Sequence, residues 1–101
     1  MIKITLTESA INDLEEIKAY YEKQGIPEIG IRLIHEIISH IEMLNDHAKI
    51  GRIVPEFNIK AIREIIHRPF RIVYNLDGNM VKVIRIWRSE RLLNLPEDEK
   101  I

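Results

Sequence analysis

The sequence predicts an α+β domain: an N-terminal strand, then an antiparallel two-helix hairpin packed on one face of a mostly antiparallel four-stranded sheet. Three observations predict it. Apolar residues recur at helical spacing between residues 8 and 45, they alternate with polar ones from residue 61 onward, and Asp77-Gly78-Asn79 separates two β-branched runs. Two short-linked amphipathic helices must bury their joint apolar face, and only the downstream strands can cover it.

The first strand is read from Ile2, Ile4 and Leu6, which alternate with Lys3 and Thr5. Thr7 ends it. Its hydroxyl can accept a free N–H of the next helix, and Glu8 suits the positive end of the helix dipole. Ala10, Leu14, Ile17 and Tyr21 form the stripe of a helix over 8–24, with Asp13, Glu15, Glu16 and Lys23 assigned elsewhere on the wheel. Pro27 opens a second helix over 27–45, where Ile34, Ile37, Ile41 and Leu44 make a seam widened by Ile31 and Ile38. Residues 45–60 keep no period and read as a loop punctuated by Gly51 and Pro55. Strands follow near 61–66, 70–76 and 80–87, with His67-Arg68-Pro69 as one turn and Asp77-Gly78-Asn79 as another.

At 101 residues the chain reads as a single domain, 1–101, able to bury a core without metal or disulfide support. It has no cysteine, which excludes thiolate metal sites and suits a reducing cytoplasm, the expected location. Met1-Ile2-Lys3-Ile4 reads as strand rather than signal peptide, and no apolar run is long enough to span a membrane. The net charge is −1, but residues 60–91 hold 8 Lys and Arg against 3 Asp and Glu. This basic segment can attract phosphate or an acidic partner.

Both faces of the hairpin are partly apolar. If the helices cover the side bearing Ile72 and Ile84, strict alternation leaves Val73, Val81, Val83 and Trp87 on an open face framed by Arg71 and Arg85, the pattern of a binding surface. Trp87 can equally close the end of the core.

The order of elements, with Gly51-Arg52-Ile53-Val54-Pro55-Glu56, Ile62-Arg63-Glu64, Phe70-Arg71-Ile72-Val73-Tyr74 and Arg91, resembles the RelE/ParE superfamily of bacterial type II toxins over nearly the whole chain. The resemblance implies a toxin silenced by a cognate antitoxin and acting in one of two ways. RelE-like members cut messenger RNA on the ribosome; ParE-like members poison DNA gyrase. A non-toxic module that keeps only the antitoxin interaction is the third reading. RNA cleavage needs a base, a cation for the phosphorane and an acid. A ribonuclease would draw these from Arg63, Arg71, Arg88 and His67, but no Tyr or His follows Arg91, and arginine is a poor general base. The ParE-like reading is therefore favoured, with Arg88 and Arg91 contacting the target and Val73, Val83, Arg85 and Trp87 binding the antitoxin.

Structural roles compete for several of these residues. Arg52 is expected to pair with Glu56 or cap a helix, Tyr74 to be a core ring with its hydroxyl at an edge, and His67 to be a solvated turn residue. Glu36 and His40 share a helix face, yet a zinc site needs a third protein ligand, so they read as a solvated pair. No metal and no cofactor is expected.

Overall fold

The computed structural model describes residues 1–88. In chain order they form β1 (Lys3–Leu6), α1 (Glu8–Lys23), α2 (Pro27–Met43), β2 (Arg52–Ile53), β3 (Ile62–His67), β4 (Phe70–Asp77) and β5 (Met80–Arg88). The sheet order is β1-β5-β4-β3-β2, with β1 parallel to β5 and every other pairing antiparallel. The sheet thus has five strands, not four. The extra one is two residues long, below what any alternation test detects, and sits inside the segment read as loop.

Local signals explain the element ends. Thr7 caps α1 by accepting the Ala10 N–H, and Pro27 stands in the first turn of α2. The β4–β5 turn places Gly78 at φ +60, a conformation that costs glycine little and other residues more. One face of the sheet meets the helices, and there Ala10, Ile17, Leu33, Ile37, Ile41 and Leu44 pack with Phe70, Ile72 and Tyr74. Ile31 and Ile38 do not widen that seam. They are 47% and 39% exposed, on the outer side of α2.

The hairpin departs from strict alternation. Val73 pairs with Arg85 and Tyr74 with Val83, so Ile84 has no partner and forms a bulge. An extra residue reverses the face of everything beyond it. Val81 and Val83 therefore share the helix-covered face with Ile86, and all three belong to the core.

The bulge also marks where β1 runs out. β1 pairs with β5 only as far as Val83, leaving the outer edge of β5 to be satisfied by other groups. Thr7 donates its N–H to the Val83 carbonyl and its hydroxyl to the Ile84 carbonyl, at 3.0 and 2.7 Å. Asp13 of α1 then accepts the Ile86 N–H at 2.8 Å and the Arg85 guanidinium at 2.8 and 3.1 Å. Asp13 is thus buried in the helix–sheet contact, not spread on the solvent side of the wheel.

Candidate functional site

Three groupings of polar side chains stand out. The first lies on the sheet face away from the helices and is built around Arg71. Its guanidinium holds Glu56 through two hydrogen bonds of 2.8 and 2.9 Å and donates through Nε to Glu64. Glu64 has no exposed side-chain surface, and its other oxygen accepts from Arg52 at 2.7 Å. Arg52 therefore pairs with Glu64, and Glu56 is taken by Arg71. Burial alone would lower the Arg71 pKa, but the bonds to Glu56 and Glu64 outweigh it and raise it. The Arg71 bond in turn holds the Glu56 carboxyl below its ordinary range, against the opposing effect of burial.

These contacts draw the segment after β2 over the sheet. Val54 and Val73 are buried there, outside the main core. The face expected to be open is closed at its centre, and Val73 offers no surface. Val83 offers none either, because the bulge turns it under the helices with 0% exposure. Neither valine can carry the antitoxin contact assigned to it.

The same network reaches the core through Tyr74. Its hydroxyl donates to the Ala48 carbonyl at 2.7 Å and accepts the Gly51 N–H at 3.0 Å, as expected of a core ring with its polar end at an edge. Gly51 is required by close approach: a Cβ there would lie 2.6 Å from the Tyr74 hydroxyl and 2.8 Å from the Glu64 carbonyl oxygen. Gly51→Ala is expected to cost about 1–3 kcal/mol through overpacking against backbone and a buried ring. Urea denaturation measures it. Arg63 faces the helix side opposite Tyr74 and is committed to the backbone, donating to the Gly51 carbonyl at 3.0 Å.

The second grouping joins α2 to the end of β3. His67 lies 2.9 Å from Glu36 and 3.0 Å from His40, so it is the last residue of a strand with two side-chain partners and not a solvated turn histidine. Glu36 and His40 are correspondingly part of this chain instead of a solvated pair. Periodicity held the clue, since Arg63, Ile65 and His67 alternate onto the helix-covered face while Glu36 and His40 lie one turn apart.

The third grouping is a cleft of about 410 Å³ between α1 and the end of β5. Asp13, Glu16, Tyr20, Phe70, Trp87 and Arg88 are among its walls. Arg88 lies over the rings of Tyr20 and Phe70, at 5.4 and 5.6 Å, and Arg85 lies 5.1 Å from the Trp87 ring. Trp87 is half-buried at this cleft. Of the residues assigned to binding, the structure brings together Arg85, Trp87 and Arg88, whereas Arg91 lies outside the described residues. Of the four residues named for RNA cleavage, Arg71 faces away from the helices, Arg63 is tied to the loop backbone, and His67 and Arg88 flank Phe70 from the two neighbouring strands.

The family model for the ParE toxin of type II toxin–antitoxin systems matches residues 4–93. The chain belongs to the ParE toxin family. Solved structures agree in fold. A chain of the chromosomal ParDE toxin–antitoxin system from P. aeruginosa is 24% identical with a TM-score of 0.73, covering 87% of this chain and 96% of that one. A chain of the RelBE2 toxin–antitoxin complex from Mycobacterium tuberculosis is 12% identical with a TM-score of 0.62, covering 86% and 96%. No match is found among curated protein sequences. Within this ParE family domain, no group of three or more His, Cys, Asp or Glu among the described residues is arranged to hold a metal ion. No helix among them is long and apolar enough to cross a membrane.

Proposed function

We propose that this toxin inhibits DNA gyrase in the cytoplasm, using the basic end of β5 and the residues after it, Arg88 and Arg91. A cognate antitoxin silences it by seating an acidic and apolar segment at the neighbouring cleft, against Arg85 and Trp87. The observation that carries the choice of target is the state of Arg71. Its guanidinium is buried and its charge is already met by two carboxylates, bonded through Nε, Nη1 and Nη2, with which a phosphorane would have to compete. A cleft combining aromatic rings with guanidinium groups can bury apolar side chains while pairing carboxylates at its rim.

Purified protein is tested in a gyrase supercoiling assay beside a ribosome-programmed mRNA cleavage assay. Supercoiling is expected to be inhibited, with inhibition weakened in Arg88→Ala and relieved by the antitoxin encoded beside the toxin. Codon-positioned cuts with supercoiling unaffected would install the ribonuclease instead. Expression without growth arrest at adequate protein levels would leave a non-toxic antitoxin-binding module.

A further inference from the structure

The Glu36–His67–His40 chain takes part in neither the arginine network nor the cleft, and its geometry dictates where hydrogens can sit. His40 Nε2 and His67 Nδ1 share one hydrogen bond of 3.0 Å, while His67 Nε2 lies 2.9 Å from Glu36 Oε1. An ionised carboxylate only accepts, so His67 must donate from Nε2. In the neutral chain His67 Nδ1 is then bare, and the shared bond exists only if His40 donates from Nε2. Both rings are thereby fixed as the Nε2–H tautomer.

One proton can be added without moving a heavy atom. It binds His40 at Nδ1, the hydrogen in the shared bond crosses to His67 Nδ1, and His67 becomes an imidazolium held between Glu36 and a neutral His40. A second proton has no such place. It would return a hydrogen to His40 Nε2, and two N–H groups would then face each other across the shared bond.

We propose that this chain is a proton-counting fastener between α2 and the end of β3, closed with zero or one added proton and opened by the second. The surrounding charges act in the same direction. Arg32 lies 3.9 Å from Glu36 on α2, Arg68 follows His67 in the turn, and on the strand side His67 faces the uncharged Phe70, over which Arg88 is stacked. Burial holds the His40 pKa below 6.5, the His67 charge lowers it further, and Glu36 opposes both. A lowered folded-state value means that the contribution to stability is present above about pH 6.5 and is lost as the pH falls through the lowered value.

The test is a two-dimensional ¹⁵N imidazole titration of the full chain from about pH 8 to about pH 5, read together with amide protection in α2. Both rings are expected to start as Nε2–H. In the first step His67 becomes imidazolium and His40 switches to Nδ1–H at the same midpoint; in the second, the Ile41 and Leu44 amides lose protection. His40→Gln should abolish the second loss, and His35→Gln, on an exposed histidine of the same helix, should leave it in place. Independent titration of the two rings without a tautomer switch, or unchanged α2 protection through the second step, overturns the proposal. The wild-type titration decides even if His40→Gln does not fold.

Discussion

Arg71→Ala is expected to destabilise the fold by about 3–5 kcal/mol, a large part of the stability of a domain this size. The substitution leaves Glu64, which has no exposed side-chain surface, facing only Arg52 from the solvent side, and it releases Glu56 and the segment that Glu56 ties to the sheet. Breaking one member of a buried charge network costs more than never having built it. Glu64→Leu with Arg71→Met should therefore recover much of the loss, because it removes both buried charges and keeps the volume. Urea midpoints of the wild type and the two variants measure the difference. The network also sets an acid limit: with the Glu56 carboxyl held below its ordinary 4.5, its contribution is present above that value and is lost as the pH falls through the lowered one.

Val83→Glu should be at least as damaging, costing about 4 kcal/mol or more and leaving little folded protein. Strict alternation puts Val83 on an open face, where glutamate would disturb only a partner. The bulge at Ile84 puts it instead in the core, with Val81 and Ile86 as its face-mates. A carboxylate there is placed in the apolar cluster that Val83 shares with Tyr74, Val81 and Ile86. Circular dichroism and thermal melting of the purified variant give the answer, and a folded variant with wild-type stability would show that the strand register is wrong.

These two residues mark where the sequence stops being legible. Helices and strands were readable because each buries a face at its own period, and Thr7 and Pro27 carry end signals that act within one turn of chain. The bulge was not readable, because one extra residue leaves no compositional trace and the alternation on either side of Ile84 looks continuous. Asp13 could have been found: Ala10, Asp13 and Ile17 follow the helical stripe, so an aspartate at that position has to be buried and needs donors. Those donors come from β5, more than 70 residues away. The segment around Gly51 to Glu56 reads as a loop in the sequence because its order comes from Tyr74, Glu64 and Arg71, not from its own period.

This changes the meaning of the family resemblance. Gly51, Arg52, Glu56, Glu64, Arg71 and Tyr74, which carry much of it, form one connected framework that holds the segment after β2 on the sheet. Residues that act through framework energy are sensitive to substitution without touching the target. Loss of growth arrest in Arg71→Ala alone is therefore uninformative, because unfolding and lost chemistry give the same result.

The most direct measurement is gyrase supercoiling inhibition by the Glu64→Leu/Arg71→Met double variant, after circular dichroism has shown it to be folded. If Arg71 belongs to the framework and the target is met by Arg88 and Arg91, the folded variant inhibits supercoiling as the wild type does. A folded double variant without inhibition would contradict this assignment and place Arg71 in the toxic site itself.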